Sequence, residues 1–81
     1  MKLTYYQDPG HGWVKVPRKL LTELGVADKV SSFSYQRGDF VYLEEDCDAD
    51  LVLRLIPDAK LILKNANRSS KIRSYDSYHF K

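Results

Sequence analysis

A proline and a glycine bracket a short leucine-rich segment that restricts how the chain folds. Pro17 suits the first turn of a helix, where its missing N–H group has no helical partner. Gly25 suits the residue after a helix, where the backbone turns left-handed. Leu20, Leu21 and Leu24 lie on one helical stripe between them. Because a helix of about two turns is unstable alone in water, the pattern predicts a helix that packs against other elements through its leucines.

The rest of the chain shows short apolar and alternating patterns. Asp48 suits a helix N-cap and Pro57 ends a helix, which predicts a helix over 49–56, although a strand over 51–56 fits the same apolar run. The basic and aromatic segment 71–80 is either a last edge strand or disordered. The predicted strands are 3–7, 13–16, 30–35, 40–44 and 60–64, with a Pro-Gly turn at 8–12 and a hairpin loop at 36–39.

Length and residue types restrict how a chain of 81 residues gains stability. Such a chain forms one domain and buries a modest share of its surface. Cys47 is its single cysteine, which excludes an intrachain disulfide, and His11 and His79 lie too far apart in sequence for metal-ligand spacing. We therefore predict one α+β domain over 1–81, with a small antiparallel sheet of hairpins and two short helices. Homodimerisation is the expected source of further stability, and an interleaved dimer is one arrangement.

Several classes of function lack their sequence signatures. The chain contains no P-loop, HExxH or GxSxG motif, and Gly10-His11-Gly12 lacks the third glycine of a dinucleotide-binding fingerprint. Cys47 lies among acidic residues, which raise the pKa of a thiol and lower its reactivity. We therefore expect no catalytic residue, cofactor, metal or small-molecule substrate. No apolar run reaches the roughly 20 residues of a membrane helix, and Met1–Tyr6 lacks the apolar segment of a signal peptide, so we expect a cytoplasmic protein with no membrane partner.

Charge is unevenly distributed along the chain, whose net charge is +2. Residues 1–43 carry six basic and four acidic residues, 44–50 carry five acidic residues, and 51–81 carry seven basic and two acidic residues. This separation favours two electrostatically different surfaces. Lys15, Arg18 and Lys19 cluster at the predicted start of the helix, and Arg37 tops the hairpin, which is a set suited to binding phosphates. The basic, aromatic segment 60–80 suits single strands or phosphate tracking.

The first half of the chain also follows a recognisable frame. It reads Gly12-Trp13-Val14-Lys15-Val16-Pro17, then a short helix, Leu24-Gly25-Val26, Asp28-Lys29-Val30 and a hairpin ending Val41-Tyr42-Leu43. This frame resembles the AbrB/MazE swapped-hairpin (looped-hinge helix) family. The resemblance implies an interleaved homodimer that binds duplex DNA as a transcriptional regulator, with Lys15, Arg18 and Lys19 facing the DNA. Residues 1–45 would form this core, and 46–81 would add a helix, a strand and the basic tail.

Two alternatives remain open. The whole chain, with Asp8-Pro9-Gly10-His11-Gly12-Trp13 and Leu43-Glu44-Glu45-Asp46-Cys47-Asp48, resembles small proteins carried by bacteriophages and plasmids. This resemblance implies an inhibitor of a host defence system, of the anti-CRISPR type, that binds a host protein complex. Its contact residues would be Glu44, Glu45, Asp46, Asp48 and Asp50. An antitoxin is less favoured, because toxin-wrapping tails of the AbrB/MazE family are acidic and this tail is basic.

Overall fold

The computed structural model describes residues 1–66, 68 and 70–80, which form an α+β fold. Its elements are β1 (Lys2–Gln7), β2 (Gly12–Pro17), α1 (Arg18–Glu23), β3 (Tyr35–Arg37), β4 (Phe40–Glu44), α2 (Ala49–Leu53), β5 (Lys60–Asn65) and β6 (Asp76–Ser77). Within these described residues, the six strands form one sheet in the order β5-β1-β2-β4-β3-β6. The predicted α+β class is therefore confirmed.

The sheet is mixed, whereas the sequence predicted an antiparallel one. β5 runs parallel to β1, and the other neighbouring strands are antiparallel. The connection through α2 returns the chain to the far edge of the sheet, where it runs alongside β1 in the same direction. A parallel pair needs such a long crossover connection, and the short apolar run of α2 does not reveal in sequence which edge the chain reaches.

The helix α1 ends as the glycine predicts. Gly25 has a φ of +73°, in the left-handed region, and the Val26 N–H donates to the Leu21 carbonyl at 3.0 Å. This bond, which spans five residues instead of the four of an α-helix, satisfies a carbonyl that the end of the helix would otherwise leave unpaired. At the other end Pro17 has the extended backbone of an N-cap. The Leu20 and Leu21 side chains are buried within the same chain, so the predicted packing of the helix is confirmed.

One face of the sheet packs under both helices and forms the main core. Its strand residues alternate with outward-facing ones, as predicted for Val14 and Val16 against Trp13 and Lys15. Each fully buried aliphatic side chain contributes roughly 1.5–3 kcal/mol of burial free energy. The buried aliphatic residues of this core are Leu3, Val14, Val16, Leu20, Leu21, Val26, Val41, Leu43, Ala49 and Val52.

Two predictions around the second helix are wrong. The predicted strand at 30–35 is absent before Tyr35, because Ser31 and Ser34 turn the chain toward a buried carboxylate and donate their hydroxyls to Asp48. Asp48 occupies the N-cap position of α2, but its side chain makes no capping bond and accepts these serine bonds instead. The helix also ends at Leu53 rather than at 56, since the last turn tightens, with the Leu55 N–H donating to the Val52 carbonyl.

Candidate nucleic-acid interface

The face of the sheet opposite the helices, the outer face, carries aromatic and basic side chains. Directly paired residues of neighbouring strands point to the same side of a sheet, so the strand register defines rows across this face. One row contains Ile62, Thr4, Lys15, Tyr42 and Tyr35. The next row, toward the Glu44 end of β4, contains Lys64, Tyr6, Trp13 and Glu44. The row toward the Phe40 end of β4 contains Pro17, Phe40 and Arg37.

The Trp13 end of the outer face is covered by the C-terminal segment. Ile72 packs on Trp13 and Tyr42, and all three side chains are buried. The Tyr75 ring lies 5.2 Å from the Tyr42 ring, measured between centroids, and the Arg73 guanidinium carbon lies 5.4 Å from the Trp13 ring centroid. From sequence, the segment 71–80 was predicted to be either an edge strand or disordered. In the structure it covers part of the sheet and contributes the short edge strand β6.

The Phe40 end of the outer face is open. The Phe40 side chain is 37% exposed and lies between Pro17 and Arg37, its paired neighbours on the adjoining strands. The Lys15 Nζ atom lies 4.2 Å from the Phe40 ring centroid, over the face of the ring. In this cation–π contact the Lys15 ammonium covers one face of the ring.

Charges on the outer face are almost all positive. Glu44 is the single acidic residue at an outer-face position of the described strands, and it is buried. Its carboxylate accepts hydrogen bonds from the backbone N–H groups of Asp46 at 2.8 Å and Cys47 at 3.0 Å, and contacts His11 Nδ1 at 3.3 Å. The basic outer-face residues are Lys2, Lys15, Arg37, Lys60 and Lys64. A surface lined with one sign of charge attracts a polyanion.

Two grooves border the Phe40 ring, one along α1 and the other on the sheet side of the ring. Arg18, Lys19 and the exposed Asp39 line the groove along α1 together with Phe40. Lys2 and Lys15 line the groove on the sheet side. The Arg18 guanidinium donates to the Gly38 carbonyl at 3.0 Å and to the Gln36 side chain at 3.2 Å, which holds it beside the hairpin. We call the residues around this ring the Phe40 surface, which consists of Lys2, Lys15, Arg18, Lys19, Arg37 and Phe40.

The structure places three of the four basic residues that the sequence nominated for DNA around one ring, since Lys15, Arg18 and Lys19 line the grooves beside Phe40. Arg37 is paired with Phe40 on the next strand, but its guanidinium carbon lies 5.0 Å from the Tyr75 ring centroid. Sequence reasoning missed Phe40 as their centre, although alternation with Val41 already placed it on the outer side of its strand. It also missed Lys2, whose position depends on the pairing of β1 with β2 and β5, a long-range register that local patterns do not encode.

The acidic run is distributed over buried and exposed positions. Glu44 and Asp48 are buried, and Glu45 accepts a hydrogen bond from the Tyr5 hydroxyl. This bond, together with burial, raises the pKa of Tyr5 to about 12. Asp46 and Asp50 are exposed. Three of the five nominated carboxylates therefore make contacts within the chain. The sequence of this acidic run alone does not indicate which of its residues are used in this way.

Nucleophilic and metal chemistry find little support in the described residues. Desolvation raises the pKa of the Cys47 thiol, and its hydrogen bond with Glu44 adds to this effect, so little reactive thiolate forms near neutral pH. The part of the chain that the structure describes contains no group of three or more His, Cys, Asp or Glu side chains placed to hold a metal ion. It also contains no helix with the length and apolarity needed to cross a bilayer.

Comparison of the chain with protein-family models, with curated proteins and with solved structures found no match.

Proposed function

We propose that this chain is a non-catalytic nucleic-acid-binding protein, a DNA-binding regulator of the AbrB-like type, which contacts its ligand through the Phe40 surface. The observation that carries the proposal is the grouping of five basic residues from four elements along and beside the exposed Phe40 ring. Lys2 comes from β1, Lys15 from β2, Arg18 and Lys19 from α1, and Arg37 from β3. Lys15, Arg18 and Lys19 are already close in sequence, and folding adds Lys2 and Arg37 to this group.

The physical basis is the release of counterions from phosphates. A protein that neutralises phosphates with lysine and arginine releases condensed cations, so its affinity falls steeply as salt rises. If about five phosphates are contacted, the affinity for a duplex should fall about 500-fold between roughly 50 and 200 mM salt. A protein that binds through apolar contacts would show a much weaker dependence.

The order of elements supports the regulator type. A strand, a short helix and a hairpin follow one another as β2, α1 and β3–β4, which is the order that the family resemblance implies. Here β2 pairs with β4 of the same chain, so the helix leucines are buried without a second copy. The homodimer stays a prediction, and solution mass from light scattering tests it.

Fluorescence anisotropy with a labelled duplex tests the proposal. We expect the double variant Lys15→Glu/Arg37→Glu to lose at least about tenfold in affinity. The matched control is Lys29→Glu/Arg54→Glu, which makes the same charge change at exposed residues on the helix side of the sheet and should retain more of the affinity. Absence of binding by the unaltered protein to both duplex and single-stranded DNA at low salt, or equal losses in both variants, would overturn the proposal.

A protein-binding inhibitor that uses the acidic run has less support. Glu44 and Asp48 are buried, and Glu45 is half-buried and bonded to Tyr5. Asp46 and Asp50 are therefore the two residues of the run that are exposed to a partner. Reversing these two charges tests the alternative directly. If Asp46→Lys/Asp50→Lys abolishes capture of a host protein complex while DNA binding is absent, the inhibitor replaces the regulator.

A further inference from the structure

We infer that the ligand of the Phe40 surface is a single-stranded nucleic acid, one base of which stacks on the Phe40 ring while the flanking phosphates lie on the basic residues at either side. This inference rests on the proposed function and narrows it to one class of ligand. It predicts that a strand with unpaired bases binds this surface more tightly than the duplex that the sequence predicted.

The first argument comes from the ring itself. The Phe40 side chain is 37% exposed, and a cation, the Lys15 ammonium, lies over one face of its ring at 4.2 Å from the centroid. In a duplex both faces of each internal base are stacked on neighbouring base pairs, so an aromatic side chain finds only base edges in the grooves. An unpaired base offers a free face, and every base has one. The exposed ring therefore matches a single strand better than a duplex.

The second argument comes from the two grooves that share this ring. Lys2 and Lys15 line the groove on the sheet side, and Arg18 and Lys19 line the groove along α1. A strand that crosses Phe40 enters both grooves. The phosphate on the sheet side then meets Lys2 and Lys15, and the phosphate on the α1 side meets the exposed Lys19, beyond which Asp39 lines the same groove. When a phosphate engages the Lys15 ammonium, the base takes its place over the ring.

The third argument concerns α1, the element that would have to enter a duplex groove. It contains six residues, Arg18–Glu23, and its leucine stripe is buried. Arg18 is half-buried and already bonded to the hairpin. The remaining exposed side chains are Lys19, Thr22 and Glu23, and the last of these repels phosphate. The helix therefore offers one free cation to a groove, which is a poor recognition element.

Anisotropy titrations with one sequence of about 12 nucleotides, used as a labelled single strand and as a duplex, test the inference. We expect tighter binding of the single strand. Phe40→Ala should weaken that binding by about 5- to 100-fold, and Phe40→Leu, which keeps an apolar side chain but removes the aromatic face, should weaken it similarly. Phe40→Tyr keeps the aromatic face and should retain most of the affinity. The control Phe33→Ala removes another exposed phenylalanine, 69% exposed and outside both grooves, and should bind as the unaltered protein does.

A strand that carries abasic sites separates stacking from folding. The unaltered protein should bind this abasic strand more weakly than the intact strand. On the abasic strand the affinities of the unaltered protein and of Phe40→Leu should be equal, because no base is left to stack. Equal or tighter binding of the duplex, or a Phe40→Leu variant that binds the single strand normally, would overturn the inference while leaving the proposed function in place. Absence of binding to either ligand at low salt would instead overturn the proposed function.

Discussion

Asp8 and Arg73 form a bidentate ion pair that joins the first turn of the chain to its C-terminal segment. The Arg73 Nε atom donates to one carboxylate oxygen at 2.7 Å and Nη2 donates to the other at 2.9 Å. The Asp8 side chain is fully buried. It also accepts bonds from the backbone N–H groups of Gly10, His11 and Ser70 at 2.9–3.0 Å. One carboxylate thus closes the first turn and anchors the segment that covers Trp13.

Removal of the Asp8 carboxylate should destabilise the fold. Asp8→Ala leaves the Arg73 guanidinium and the N–H groups of this turn without their acceptor, and we expect a loss of about 2–3 kcal/mol in the free energy of unfolding. Urea denaturation followed by circular dichroism measures it. The exposed Asp58→Ala is the control and should change stability by less than about 0.5 kcal/mol. A loss for Asp8→Ala that does not exceed this control would contradict the role we give the carboxylate.

The same pair predicts acid sensitivity. The hydrogen bonds from Arg73 hold the pKa of Asp8 well below its usual range. Because the pKa in the folded state lies below that in the unfolded state, the stabilisation is complete above about pH 4 and is lost as the pH falls below it. Unfolding free energies measured from neutral pH down to about pH 2.5 should therefore decline. Asp8→Asn, which cannot ionise, should flatten this decline, whereas Asp58→Asn should not. An unchanged slope in Asp8→Asn would show that other groups cause the acid sensitivity.

Asp8 also shows how far sequence reasoning reaches. Its bonds to the backbone of its own turn were predictable, because the donors lie two and three residues away. Its pairing with Arg73 joins positions 65 residues apart and depends on where the C-terminal segment lies on the sheet. The helix α1 was predictable for the same local reason, since Pro17 and Gly25 act on the backbone beside them.

The arrangement of the candidate interface also depends on contacts between residues far apart in sequence, and for this reason it was not predicted. Lys15, Arg18, Lys19 and Arg37 were nominated by charge and position, but their grouping beside Phe40 follows from the register of β2 with β4 and of β4 with β3. The strand predicted at 30–35 failed because the Asp48 carboxylate, distant in sequence, accepts the hydroxyls of Ser31 and Ser34. Local residue preferences do not contain that information.

Asp48 should be a stability residue rather than a contact residue. Its carboxylate accepts from the Ser31 N–H at 3.0 Å and from the hydroxyls of Ser31 and Ser34. Asp48→Ala leaves the buried Ser34 hydroxyl and the half-buried Ser31 donors without their acceptor, so we expect a loss of about 2–3 kcal/mol by urea denaturation. Asp50→Ala, at an exposed neighbouring carboxylate, should change stability by less than about 0.5 kcal/mol. Equal stability of the two variants would mean that Asp48 has no such structural role.

Tyr5 predicts the behaviour of the fold at alkaline pH. Its hydroxyl donates to the Glu45 carboxylate, and this bond, with burial, raises the pKa of Tyr5 to about 12. Because the pKa is higher in the folded state than the roughly 10 expected when unfolded, the stabilisation is complete below about pH 10 and is lost as the pH rises toward 12. Tyr5→Phe removes the ionisable hydroxyl and should make the unfolding free energy less dependent on pH in this window. Glu45→Gln, which removes the neighbouring charge, should lower the pKa of Tyr5, as phenolate absorbance measures. A titration of Tyr5 near 10 in the folded, unaltered protein would show that the bond to Glu45 does not stabilise the protonated hydroxyl, and Glu45 would then be free to meet a partner.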